Sequence, residues 1–120
     1  MKPTANDYEL GTLCDAAGRP RVACLRAANR RSKQRGMRAL PETSALLLPG
    51  EPFVHMHGCA EPLDLVFLAR DGRLLALYGD VQPGLRIRGR IGAVACLELP
   101  AGQAALLGLT LGETLRFAAA

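Results

Sequence analysis

Apolar positions along this chain come mostly in short runs bounded by turn residues. Tyr8 to Cys14 and Arg21 to Leu25 read as two strands around a turn that contains Gly18 and Pro20. Ser44 to Leu48 is a short apolar run closed by Pro49 and Gly50, which suits a buried strand. Pro52 to Cys59 reads as extended. Pro62 to Ala69 alternates and then runs continuously apolar, and Asp71-Gly72 is a strong hairpin signal before a partner strand over Arg73 to Tyr78. Ala93 to Leu99 and Thr114 to Phe117 are the last two strands expected. The glycine-rich stretch from Gly79 to Gly92 reads as a loop with an irregular edge strand.

Two segments break this pattern. Ala27 to Arg35 is rich in Ala, Arg, Lys and Gln, which favour helix, and Gly36 supplies its C-terminal cap. Pro100 to Leu107 has Pro at its start and Gly108 past its end, the asymmetry of a short helix. Many short strands with one early and one late helix predict an α+β domain. Its mixed or antiparallel sheet is expected to curl into a small barrel.

Length supports one domain over residues 1–120. Hydrophobic residues make up 49% of the chain, which argues against disorder, and few are aromatic, so the core is aliphatic. No apolar stretch approaches the ~20 residues that span a bilayer. The N-terminal residues show no apolar signal segment, so a cytoplasmic location is expected.

Charge is uneven. Residues 1–40 hold nine Lys/Arg and three Asp/Glu, whereas residues 41–120 hold six and eight. The basic run of Arg26, Arg30, Arg31, Lys33, Arg35 and Arg38 would spread over two helix faces, which argues against one groove-reading stripe. Non-specific attraction to polyanions is expected; specific nucleic-acid binding is not. Arg86, Arg88 and Arg90 alternate, as on an edge strand guarded by charge.

No two of Cys14, Cys24, Cys59 and Cys96 form a C-x-x-C pair. A tight turn near Gly18 would oppose position 24 to 11 and 14 to 21, out of register for a disulfide, so free thiols are expected.

The most chemical-looking stretch is His55-x-His57-x-Cys59. On a continuous strand these three would project from one face and could hold zinc or copper, with Asp64 or water as a fourth ligand. Asp64 opens a buried strand and needs a partner, for which Arg35 and Arg38 are candidates. His55, Asp64 and an arginine could instead converge on a small polar ligand.

Five segments in order resemble the bacterial family catalogued as domain of unknown function 192. They are Arg35 to Leu40; Ser44 to Pro49; Val54 to Asp64; Val66-Phe67-Leu68 with Asp71-Gly72-Arg73; and Leu97 to Gly102 followed by Gly108-Leu109 and Leu111-Gly112-Glu113. The match covers about residues 25–117. The third segment is closest to a branch reading V-H-T-F-G-M-x-x-P-I-D, which carries Phe where this chain has His57 and Met where it has Cys59. The resemblance implies a compact β-rich fold with peripheral helices and no enzyme class. It also implies that relatives are often exported or lipid-anchored, some beside pilus or secretion genes.

The leading expectation is a non-enzymatic accessory module. It would bind a protein partner or small ligand at a cleft between the Val54 to Cys59 segment and the first helix. Arg35 and Arg38 would supply charge, His55 a switchable donor or acceptor, and Asp64 the lock that positions them. A metal-binding protein or metalloenzyme using His55, His57 and Cys59 is the alternative. A polyanion binder using the basic helix is a third. No cofactor other than zinc or copper is suggested.

Overall fold

In the computed structural model, residues 7–39, 45–56 and 58–120 are described, without the side chains of Arg38 and Ala39. Nine strands form: β1 (Tyr8–Cys14), β2 (Pro20–Ala27), β3 (Leu46–Pro49), β4 (Phe53–His55), β5 (Leu63–Leu68), β6 (Leu74–Val81), β7 (Arg86–Arg88), β8 (Ala95–Pro100) and β9 (Arg116–Ala119). The helices are α1 (Arg30–Arg35), which runs on into a 3₁₀ turn over Gly36–Ala39, and α2 (Gln103–Leu106).

Seven strands make one mixed sheet in the order β6-β5-β8-β3-β2-β1-β9, and β4 and β7 pair as a separate antiparallel ribbon. Only β2 and β3 run parallel. The barrel expected from the many short strands is not found: the large sheet stays open, with β6 and β9 at its edges. Closure would need β6 and β9 to pair along their length; among the described residues the links on that side are the Arg73–Thr114 bridge and backbone hydrogen bonds joining Gly72 and Leu74 to Gly112, Glu113 and Leu115, ahead of β9.

Both faces of the sheet are covered instead. Strand alternation sends Leu46, Leu48, Leu63, Leu65, Phe67 and Cys96 into one core, where Val54, Met56 and Met37 pack over them. The intervening Leu47, Val66, Leu68, Leu97 and Leu99 face a second core closed by Ala104 of α2, Leu109 and Leu115. All six residues of β5 are therefore buried, which is why its sequence is apolar apart from Asp64. Burial of each Leu, Val or Phe side chain contributes about 1.5–3 kcal/mol.

Element boundaries differ from the expectation where tertiary contacts intervene. β2 runs on to Ala27, so α1 starts only at Arg30, after Asn29 accepts from the Ser32 N–H as N-cap. Arg26 thus lies on a strand, not on the helix. Pro100 ends β8 instead of starting α2. The β1–β2 hairpin opposes Cys24 to Gly11 as expected, but a register shift after Leu13 sets Cys14 against Pro20. Among the described residues none of the four cysteines is in a disulfide.

Candidate ligand-binding cleft

The helix α1 leans on the sheet because of one residue. Asp7, fully buried, accepts from Arg31 Nη2 at 2.9 Å, Arg35 Nη2 at 3.2 Å and Asn29 Nδ2 at 3.1 Å. Its backbone carbonyl also accepts from the Ala28 N–H. Asp7 thereby ties the start and the end of α1 to the head of β1. Two further cations of the N-terminal third are engaged elsewhere on the sheet. Arg26 pairs with Glu9 and lies over the Phe117 ring, and Arg21 reaches Glu113.

Held in this position, α1 forms one wall of a cavity of about 160 Å³. That wall carries Arg30, Lys33 and Arg35. The opposite wall is β4 and the turn after it, with Phe53, Val54, His55 and Cys59. Glu51 stands at one end, and Glu98 of β8 forms the floor. Arg30 and Lys33 form no ion pair among the described residues, so the mouth is electropositive.

Glu98 is the most unusual group in this cleft. It is 3% exposed, and its Oε1 has no hydrogen-bond partner among the described residues. Burial pushes the Glu98 carboxyl up to about 7, the nearby Met37 N–H pulls it down, and Glu51 adds to the rise. The carboxyl lies under Gly36, whose backbone has φ 54° and ψ −141°. A Cβ on Gly36 would stand 3.1 Å from Glu98 Oε1, so glycine serves both the backbone conformation and the space above the carboxyl. The Tyr8 hydroxyl is also buried without a partner, and its pKa is raised chiefly by burial, with opposing charge effects from Arg35, Asp7 and Glu98.

The expected site residues separate. Arg35 and His55 both line the cleft. Asp64 does not. It is buried on the far face of the sheet, where Oδ1 accepts from the Asp80 N–H at 2.9 Å and Oδ2 from the Gly102 and Ala104 N–H groups at 3.0 Å each. Its partners are backbone donors, not Arg35 or Arg38, and it locks β6 and α2 in place of the first helix. The strand period explains this: Leu63 and Leu65 take the cleft face, which leaves Asp64 on the other. The Asp64 bond also holds Asp80, whose φ of 53° is otherwise disfavoured.

His57 and the Arg38 side chain lie outside the described residues. The same-face argument for His55, His57 and Cys59 fails in its premise, because β4 ends at His55. The chain then turns, with Gly58 at φ 80° and the Cys59 N–H donating to the Met56 carbonyl. His55 and Cys59 still share the cleft. Among the described residues no group of three or more His, Cys, Asp or Glu side chains gathers closely enough to hold a metal ion.

Glu98, Glu51 and Lys33 were not anticipated as cleft residues. A signal for Glu98 was present: a lone carboxylate inside the apolar strand Ala93 to Leu99, two positions from Cys96 and so on its face.

The profile of an uncharacterised family, domain of unknown function 192, described as an uncharacterised ACR, matches residues 14–117. The chain belongs to this family. The match spans β2 to α2, so the α1–β4 cleft and the Asp64 lock are both built from segments of the family domain. No curated protein matches the chain. A solved structure from Sinorhizobium meliloti 1021, described as a candidate transcription regulator, is 25% identical with a TM-score of 0.75, covering 96% of this chain and 97% of that one. A protein of unknown function from Novosphingobium aromaticivorans DSM 12444 is 17% identical with a TM-score of 0.67, covering 97% and 99%, and shares the fold. No helix among the described residues is long and apolar enough to cross a membrane.

Proposed function

We propose that this member of the domain of unknown function 192 family is a non-enzymatic binding module that takes a small polar ligand in the α1–β4 cleft. The observation that carries the reading is Glu98. A buried carboxyl oxygen without a partner costs about 1–3 kcal/mol, and among the described residues no donor meets Glu98 Oε1. A ligand that reaches the cleft floor would. Arg35 and His55, with Arg30 and Lys33, would orient it from the walls. The family resemblance suggests an accessory role beside envelope, pilus or secretion machinery as the setting.

The test is a fragment screen by amide chemical-shift mapping on the intact chain. Binders should shift Gly36, Met37, Val54 and His55. A screen whose binders all map elsewhere, or that yields none, would remove this reading.

The likeness to a candidate transcription regulator raises DNA binding as a second reading. The helix lengths do not favour it. No helix among the described residues exceeds six residues, which is short for a recognition helix that seats several base-contacting side chains in the major groove.

A further inference from the structure

Resting on the reading of the cleft as a ligand site, we infer that its occupant is a small anion carrying a hydroxyl group. Two features at opposite ends of one cavity define this chemistry. At the mouth, Arg30 and Lys33 outnumber Glu51, since Arg35 is already paired with Asp7, so the group held there is anionic. At the floor, Glu98 Oε1 is enclosed and has no donor among the described residues, so the ligand end that reaches it must supply a hydrogen bond.

A hydroxyl fits that floor better than an ammonium. An ammonium must pass the Arg30 and Lys33 cations to reach Glu98, and it satisfies only the ionised carboxyl. A hydroxyl donates to the carboxylate and accepts from the protonated acid, so it pairs with Glu98 in either state. Size narrows the class further. The cavity of about 160 Å³ is close to the roughly 150 Å³ that admits benzene. The ligand is therefore on the scale of a three- or four-carbon hydroxy acid or a short hydroxyalkyl phosphate. Carboxylate and phosphate share the anionic oxygens that Arg30 and Lys33 would meet.

The experiment compares malate, glycerol 3-phosphate and succinate as probes by amide chemical-shift titration of the wild-type chain, Glu98→Gln and Glu98→Leu. Malate resembles succinate but adds the hydroxyl. Malate or glycerol 3-phosphate should shift Gly36, Met37 and Val54 at least tenfold more tightly than succinate, and whichever binds tighter assigns the anion as carboxylate or phosphate. Glu98→Gln, whose amide still pairs with a hydroxyl, should keep the malate preference, whereas Glu98→Leu should bring malate down to the succinate level while leaving the rest of the spectrum folded. Lys33→Glu at the exposed rim should weaken every probe. Equal binding of malate and succinate would overturn the hydroxyl inference and leave the cleft reading standing. Fragments that bind in the cleft while none of the three anions does would also overturn it. Absence of any binder at the cleft, fragments included, would remove the underlying reading itself.

Discussion

Asp64 and Glu98 sit on neighbouring central strands, one register position apart, with their carboxyl groups on opposite faces of the sheet. Asp64 opposes Leu99 and Leu65 opposes Glu98 in the β5–β8 ladder. One carboxylate is saturated by three backbone N–H groups and the other has an oxygen with no donor among the described residues. The saturated group holds the fold, and the unsaturated one is where a ligand gains most.

Asp64→Asn should destabilise the domain by about 3 kcal/mol, because an amide nitrogen replaces an acceptor in front of buried N–H donors. Urea unfolding would measure it. The variant should leave the amide shifts of Gly36 and Val54 unchanged, since the lock lies on the other face. A loss below about 0.5 kcal/mol would show that the three bonds do not hold β6 and α2.

Removing Asp7 should be costlier than removing either arginine. Asp7→Asn removes the buried charge that both Arg31 and Arg35 meet, at a cost of about 3–5 kcal/mol. Arg31 is 58% exposed at its side chain, so Arg31→Met should cost less than about 1 kcal/mol. Thermal unfolding of the two variants checks the ordering.

Glu98 makes stability depend on pH with a definite sign. Its folded pKa, about 7, lies above the ordinary 4.5, so the folded chain holds a proton that the unfolded chain releases. Glu98 thus makes stability fall as pH rises from about 4.5 to about 7, by roughly 3 kcal/mol across that window, with no further loss from this group above it. Glu98→Gln removes this slope and should be more stable than wild type at pH 8. Denaturant midpoints at pH 5, 6, 7 and 8 decide it, and an unchanged slope in the variant would assign the pH dependence to other groups.

The four thiols should divide into two classes. Burial pushes Cys24 up to about 12 and Cys96 well above the usual thiol range, and both are enclosed. Cys14 and Cys59 are half-buried. Brief iodoacetamide treatment of the native chain should label Cys14 and Cys59 before Cys24 and Cys96, with peptide mass spectrometry as the readout. Cys59 should be protected by an occupant of the cleft.

Local patterns alone determined much of this protein. The turn residues around Gly18 and at Asp71-Gly72 set two hairpins, and the apolar runs marked the central strands, because turn conformation and burial on both faces are written into neighbouring residues. Gly36 marked the end of α1 for the same reason. Tertiary structure decided which carboxylate faces which layer. Asp64 was legible as buried, yet its face followed from the side that α1 and β4 cover, a contact between distant segments. The Asp7 anchor joins residues 24 and 28 positions apart and left no periodic trace. Closure of the sheet was likewise undecidable from strand count, because it depends on whether the two edge strands meet in space, and here they stay apart.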